Sequence, residues 1–458
     1  MEPRAIMVGV FKKFGGASLG ARAMRSSFWT TGSFVSSQVI RLLSNLVLTR
    51  LLFPEAFGMM ALVTVFIQGL ANFSDVGVTP AILQSKRGDD PDFLNTAWTI
   101  QIFRGVALWL VACAIGFPLA WFYDEPMLAQ IMPIAGLGLL IIGFKPTRLD
   151  TANRHLLLGR VAAIEVAVQI IGVVFAIALA WWLKSVWALV ISGLLSQLVM
   201  LGLAFGFLPG LVNTFRWEKA ARHELVNFGK WIFLSTVCGF FFFQADKILI
   251  GKWLPLDDFG VYNIGFFLAT VPMMLGNVMV GKVLIPIYRE APPKDSPANF
   301  AKLRKMRFVV TGALVAMVAV ASLLGVWAVE LLYDPRYAAA GAVVVVLALM
   351  QLPQIISLTY DQAALAAGDS KRFFILYLAR AFFMFGAVLV GLELGGLFGA
   401  IIGQGVAYAM IYPVVVWLSR HTGAWDPLHD AVFGVLSVLI SALALWVNWA
   451  PVAQLMAK

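Results

Sequence analysis

Arg50-Leu51-Leu52-Phe53-Pro54-Glu55-Ala56-Phe57-Gly58 joins two long apolar runs, Phe28–Leu52 and Phe57–Leu83. Proline, glycine and an acid between such runs mark a tight turn between helices. At an offset of 202 residues stands Lys252-Trp253-Leu254-Pro255-Leu256-Asp257-Asp258-Phe259-Gly260, again between apolar runs. Cation, Leu, acid and Phe-Gly superimpose. Six runs separate the copies, and an even number preserves direction through a membrane. The copies read as parallel repeats about an axis along the membrane normal. The plainer reading is that tight hairpins favour Pro, Gly and acids anywhere; the matching place in the run order favours the repeat.

The composition says what kind of chain surrounds these turns. Of 458 residues, 61% are hydrophobic and 13% charged, with a mean hydropathy of +0.87. A soluble domain has ~45–50% apolar and ~25% charged residues, so this chain has too little polar surface for water. Spanning β-barrels alternate apolar and polar residues and lack long apolar runs. A membrane helix needs about 20 mostly apolar residues. Thirteen runs qualify: Phe28–Leu52, Phe57–Leu83, Thr96–Phe122, Met127–Phe144, Val161–Leu183, Val186–Leu208, Val226–Trp253, Phe259–Ile285, Phe308–Leu332, Ala338–Tyr360, Phe373–Leu392, Leu397–Leu418 and Ala431–Trp449. The fold class is an all-α polytopic membrane protein of about 13 transmembrane helices, in two six-helix bundles related by a pseudo-two-fold along the membrane normal. The expected divisions are a tail at 1–27, a bundle at 28–208, a bridge at 209–225, a bundle at 226–420, and a loop with an extra helix at 421–458. No connection is long enough for a catalytic domain outside the membrane.

Charge orients the runs. With the N-terminus inside, 24 of the 34 Lys and Arg residues fall in cytoplasmic segments, 5 fall outside and 5 lie within runs. That is the positive-inside bias, and it accounts for the net charge of +10 without nucleic acid. The N-terminal tail lacks the sustained apolar core of a cleaved signal peptide. Val8–Trp29 reads either as an amphipathic surface helix or as a loose tail. Cys113 and Cys238 lie in apolar runs and support no disulfide framework. His155, His223, His421 and His429 stand singly, in loops, and no metal site follows.

Polar residues inside runs are expensive and face protein or water. Thr30, Ser33, Ser37, Arg41, Ser44 and Asn45 recur at three- and four-residue steps on the first run, with Gln38 beside them. Val35, Val39, Leu42 and Leu46 take the other side. Arg41 sits near mid-run, either lining a cavity or in a buried ion pair. The other embedded cations are Arg104, Lys247, Lys282 and Arg380. Lys282 snorkels from a run end. Lys247 follows Asp246 and serves either an interfacial pair or a ligand; Arg104 and Arg380 either line a cavity or snorkel. Embedded acids are Glu165 and Asp246. Glu165 with Gln169, and Gln351 with Gln354, Ser357 and Asp361, make polar faces that either bond sugar hydroxyls or stitch helices. Five embedded cations against two acids give a net-positive interior, suited to phosphate or carboxylate and repellent to organic cations.

Thr49 to Gly58, then Asp75-Val76-Gly77 with Ala81-Ile82-Leu83-Gln84, then Leu94-Asn95-Thr96-Ala97-Trp98, resemble the start of Wzx-type polysaccharide flippases. That is the polysaccharide branch of the multidrug/oligosaccharidyl-lipid/polysaccharide exporter superfamily. Asp246-Lys247-Ile248-Leu249-Ile250-Gly251, Phe259-Gly260-Val261-Tyr262 and Pro286-Ile287-Tyr288-Arg289 are similar to the family's second half. The resemblance runs over about residues 25–420. It implies a V-shaped pair of bundles in a bacterial inner membrane, multi-pass, flipping undecaprenyl-diphosphate-linked oligosaccharide to the outer leaflet by alternating access. No Gly-rich phosphate loop, nucleotide-binding sequence or catalytic triad pattern is evident, so no covalent chemistry and no cofactor are expected. The partners the resemblance implies are the lipid-linked glycan, the membrane, and a polysaccharide polymerase with glycosyltransferases. Gln38, Arg41, Asn45, Arg104, Asp246, Lys247, Gln351, Gln354 and Arg380 are the expected substrate contacts. A multidrug antiporter would want acids in the cleft. A membrane-embedded glycosyltransferase or polymerase would want a long outer loop with catalytic groups. The two hairpins are expected on the outer rim, one on each side of the cleft. Opposite charges among Arg50, Glu55, Lys252, Asp257 and Asp258 would pair across the mouth, or each hairpin would only cap its own helices.

Overall fold

The computed structural model describes residues 19–457 apart from 75–77, 156, 285–287, 289, 291 and 361–369. Asp75, Asp361 and most of the Pro286–Arg289 motif fall outside the described residues, as does the side chain of Lys282. Every regular element among the described residues is a helix. In chain order these are α1 Leu19–Leu51, α2 Pro54–Phe73, α3 Val78–Gln84, α4 Pro91–Tyr123, α5 Met127–Gly143, α6 Arg148–Arg154, α7 Leu158–Leu183, α8 Trp187–Phe207, α9 Lys219–Trp253, α10 Leu256–Ala269, α11 Val271–Met279, α12 Pro297–Leu332, α13 Ala340–Met350, α14 Leu352–Leu358, α15 Ser370–His421, α16 Pro427–Val447 and α17 Trp449–Met456. Seven are long and apolar enough to cross a membrane, or up to 10 with the bent pairs α5/α6, α10/α11 and α13/α14. The 52-residue α15 is broken at Gly395 and Gly396, Gly396 having a φ of 52°. It covers two of the thirteen runs, and α1 and α9 lie on the first and seventh. The protein is a multi-span helical membrane protein.

Local chemistry sets the ends. Asp90 caps α4 by accepting from the Asp92 amide, and Pro91 follows where no N–H is needed. Ser296 with Pro297 does the same for α12, and Asp426 with Pro427 for α16. Lys184 closes α7 in the left-handed region, at a φ of 47°.

The chain forms two compact units, one from 1–52 and 66–233, the other from 53–65 and 234–458. In the first, α4 and α5 pack along a small-residue seam. Gly105 and Gly143 lie backbone to backbone, and a Cβ on Gly143 would meet the Gln101 carbonyl oxygen at 3.0 Å. Further along, a Cβ on Gly136 would meet the Ala112 methyl at 2.7 Å. With lipid outside there is little hydrophobic drive between helices, so close packing of small residues supplies the adhesion.

The Leu94–Trp98 motif acquires a physical role here. Leu94 and Ala97 enter a core with Val78, Ile82, Phe93 and Leu225. The polar members of the same turns hold the bridge. Asn95 Oδ1 accepts from the Thr214 amide at 3.0 Å, Thr96 Oγ1 from Glu218 at 3.1 Å, and Thr99 Oγ1 from Arg216 at 3.0 Å. The Trp98 ring lies 5.3 Å from that of Phe215. Arg87 donates to Glu218 at 2.7 Å and pairs with Asp90. The extended residues 209–218 thus find partners for backbone amides that have no helix of their own.

In the second unit, α2 and α10 meet at their first turns. A Cβ on Gly58 would lie 2.2 Å from the Leu256 carbonyl oxygen, and one on Gly260 would lie 1.9 Å from that of Pro54. Leu256 is Pro54 plus 202, and Gly260 is Gly58 plus 202, so the contact is reciprocal under the repeat offset. The two hairpins touch through glycine backbones rather than standing apart. At another end of this unit, Asp426 takes two bonds from Arg304, at 2.5 and 2.9 Å. His429 is fully buried, with Asp430 at 2.8 Å and Thr311 at 2.9 Å. The sequence places it in a loop; the structure makes it a strut inside the first turn of α16.

Candidate functional site

Gln38, Arg41, Asn45 and Arg104 belong to the first unit. α1 has two exposed sides. Val35, Val39, Leu43 and Val47 form one, at 40–57% exposure. Arg41 is exposed on the opposite side, some 200° around the helix from Val39. The apolar stripe fits lipid; the arginine side fits water or an anion. Leu42 and Leu46, expected in the stripe, are half-buried beside it. Gln38 and Asn45 are half-buried. Gln169 Nε2 donates to the Ser37 carbonyl at 2.8 Å, so this amide stitches α7 to α1. Arg104 donates to Ser74 Oγ at 2.9 Å and to the Ala71 carbonyl at 2.5 Å. It holds the last turn of α2, where free carbonyls and the helix dipole favour a cation.

The second unit gathers more of the expected residues. Asp246 is 5% exposed and accepts from Tyr262 Oη at 2.5 Å. Gln404 Nε2 donates to the same hydroxyl at 3.0 Å. Lys247 points another way, its Nζ 4.5 Å from the centre of the Phe266 ring. Tyr262 and Phe266 are one turn apart on α10, so both side chains of the Asp246-Lys247 pair end on that helix. Arg380 is 2% exposed, over the rings of Phe242 at 5.2 Å and Tyr377 at 5.4 Å. The Phe242 ring in turn meets Tyr408 at 6.1 Å, one turn beyond Gln404. Asp246, Lys247 and Arg380 therefore share one patch of polar and aromatic groups. Gln351 and Gln354 are buried, at 3% and 6% exposure.

Tyr262, Gln404 and Tyr408 are absent from the sequence-derived set. Gln404 carried a usable signal: a lone amide between Gly403 and Gly405 inside an apolar run. Tyr262 stood in a quoted motif, but nothing in spacing alone shows that its hydroxyl meets an acid 16 residues earlier.

The family described as polysaccharide biosynthesis protein matches residues 47–339. The chain belongs to this family. It is 23% identical over 431 residues to the succinoglycan biosynthesis transport protein of Rhizobium meliloti, covering 92% of this chain and 85% of that one. It is also 23% identical over 256 residues to the amylovoran biosynthesis protein of Erwinia amylovora; that match covers 55% of this chain and only 65% of the Erwinia protein. Its fold is that of the lipid II flippase MurJ in an inward closed conformation, with a TM-score of 0.67 at 12% identity, over 94% of this chain and 98% of that one.

Proposed function

We propose that the protein carries lipid-diphosphate-linked oligosaccharide units from the inner to the outer leaflet of a bacterial cell membrane, by alternating access, for polysaccharide assembly. The observation that carries this reading is the similarity over 92% of the chain to a succinoglycan transport protein. The excess of embedded cations supports it. A diphosphate is drawn to Arg41, Arg104, Lys247 and Arg380, whereas organic cations are repelled. The one buried acid of the second-unit patch, Asp246, is engaged by Tyr262. Gln38 and Asn45, half-buried on α1, offer amides to sugar hydroxyls, while Gln351 and Gln354 are buried. The cargo arrives from glycosyltransferases and passes to a polymerase. The N-terminus lies in the cytoplasm, as do Asn95, Leu156, Val226 and Arg304; reporter fusions at these four positions should all report cytoplasm, and a periplasmic signal at any overturns the orientation.

The test of the activity is direct. Full-length protein in proteoliposomes should make a lipid-diphosphate-linked trisaccharide on one leaflet accessible to periodate on the other. Accessibility equal to empty vesicles, for cargoes from the cell's own polysaccharide, ends the transport reading.

A further inference from the structure

We propose that the second unit holds a groove for one zwitterionic phospholipid of the surrounding membrane, with its phosphate at Arg420, its ammonium beside Asp430 and an acyl chain along α16. The site is separate from the cargo and stands whether or not the transport reading does.

The groove is a cavity of about 880 Å³ bounded by the α13/α14 bend, the second half of α15 and the first half of α16. Sites for small molecules span ~300–1,000 Å³. The gap exists because α15 and α16, though consecutive, each pack on α13 and α14 and scarcely on one another. Small residues shape it. Gly405 lets α15 settle on Met350, where a Cβ would overlap the sulfur. On the other wall, a Cβ on Gly434 would meet nothing within 4 Å. Outside the groove, Val435, Leu439 and Trp446 give α16 an apolar face that is 61–78% exposed. A lipid chain can therefore enter sideways, from the bilayer, without crossing water.

Charge gathers at one end, the turn between α15 and α16. Asp430 lines the groove there. It accepts from Tyr412 Oη at 2.6 Å, Tyr360 Oη at 2.7 Å and Trp425 Nε1 at 3.2 Å, with the His429 ring as a fourth partner at 2.8 Å. These bonds occupy the carboxylate's four lone-pair positions and hold Tyr412 and Trp425 as walls. Arg420 is exposed, its guanidinium 4.1 Å from the centre of the Trp425 ring. Among the described residues its partner is that ring rather than an acid. The end of the groove thus offers a cation at the rim and a carboxylate inside. A zwitterionic head group meets both: phosphate on the guanidinium, ammonium beside the carboxylate and the rings. An anionic head group meets the first and sets its charge against Asp430. Since the lone pairs of Asp430 are taken, the ammonium is held by charge, and choline serves as well as ethanolamine.

A second observation lies deeper. Ser437 stands two turns beyond Asp430 on α16, ~10 Å at 1.5 Å per residue. It is 9% exposed, it lines the groove, and its Oγ has no hydrogen-bond partner. A buried hydroxyl left unpaired is costly. A glycerol ester carbonyl supplies an acceptor at that depth, below the phosphate. Leu349, Val438 and Ala442 complete the lining with apolar contact alone, which suits an acyl chain. An isoprenyl carrier has neither the ester nor the ammonium.

Native mass spectrometry on full-length protein in detergent tests this. Dioleoyl phosphatidylethanolamine, phosphatidylcholine and phosphatidylglycerol, and undecaprenyl phosphate, are titrated in turn and the bound copies counted. One ethanolamine or choline lipid should be retained per protein, with similar affinities, each at least about tenfold tighter than the glycerol lipid. Arg420→Gln should weaken retention about tenfold, the loss of one charge-assisted contact. Gly434→Leu places a side chain in the open space, at a helical position that leucine favours, and should abolish retention with the lipid-free melting temperature unchanged. Arg420 is exposed and holds no other element, so its variant decides the matter should Gly434→Leu lower stability. Phosphatidylglycerol retained as tightly as the zwitterionic lipids overturns the head-group assignment. Tighter retention of undecaprenyl phosphate overturns the phospholipid and gives the groove to the carrier. No retained lipid, or retention that both variants leave unchanged, overturns the site.

Discussion

The two copies of the repeat share their crossing and differ in what they carry. Gly58 and Gly260 make the same backbone contact from opposite sides. The burial pattern just before each hairpin also repeats: Ser44, Leu48 and Thr49 are buried, as are Asp246, Ile250 and Gly251 at plus 202. The chemistry at these places does not repeat. The first copy has Arg41 where the second has Phe243, both exposed. The second has Asp246 where the first has Ser44, and Tyr262 where the first has Met60. Beyond the crossing, α2 is one continuous helix of 20 residues, while the second copy bends by 42° between α10 and α11, where Pro272 stands at the place of Leu70. Backbone contact tolerates only glycine, so both copies have it. Side chains facing open space or a partner helix differ between the copies.

The sharpest way to break the comparison is to add a methyl at the crossing. Gly58→Ala and Gly260→Ala each push Cβ into a carbonyl that cannot swing aside. Each should cost ~3 kcal/mol or more, the upper end of overpacking, and each should strip the protein from the membrane fraction. Equal losses mean the contact is truly reciprocal. Loss in one variant alone, by immunoblot and melting temperature, means the symmetry is only apparent.

The next test separates the exposed pair. If Arg41 meets an anionic head group, Arg41→Ala should reduce export at least about tenfold while the protein accumulates normally. Arg41→Lys should retain part of it, since charge survives without the planar fork. Phe243→Leu, at the matching place, should leave export near wild type. Full export by Arg41→Ala removes the arginine from the cargo path.

The buried pair gives a smaller effect. Tyr262→Phe leaves Asp246 and Gln404 short of a partner and should cost ~1–3 kcal/mol. Met60→Leu, the same place in the first copy, is a volume-conserving swap and should cost under about 1.5 kcal/mol. Melting curves in one detergent compare them; equal shifts would show that the Asp246 network adds nothing to packing.

What could be read in advance follows from the same physics. Helical class and family rest on run length and turn chemistry, which act within a few residues; against the thirteen expected runs, seven helices among the described residues, or up to 10 with the bent pairs, are long and apolar enough to span. The repeat was visible because glycine and Phe-Gly are local signals. The roles of Asn95, Thr96 and Thr99 were not, because their partners lie some 120 residues away in the bridge. Arg104 illustrates the limit. Its depth in a run marks it as special, yet only the fold shows that it bonds the end of α2 and lines a cavity.

The smallest expected effect contrasts two acids outside the membrane. Asp90, about a third exposed, is held below its ordinary value by bonding to Arg87. For Asp426, fully buried, burial is the largest influence and pushes up, but the Arg304 bond, the His429 amide and the charges of Arg304 and Arg307 together outweigh it, again leaving the value lowered. A lowered folded value means stability present in full above the unfolded value of about 3.9 and lost as pH falls through the folded one. Both acids should therefore matter only in strong acid. Removing the arginines should separate them. Arg87→Gln should let the Asp90 midpoint return towards about 3.9, and the bridge amides at Thr214 and Glu218 should lose exchange protection slightly earlier on acidification. Arg304→Gln leaves burial acting on Asp426 with its main opponent gone, so its midpoint should climb further, and protection at the His429 amide should fade at a higher pH. Hydrogen exchange across pH 3–6 reads both. Equal displacement of the two midpoints would mean that burial of Asp426 contributes little, and that the two arginine pairs are equivalent despite their surroundings.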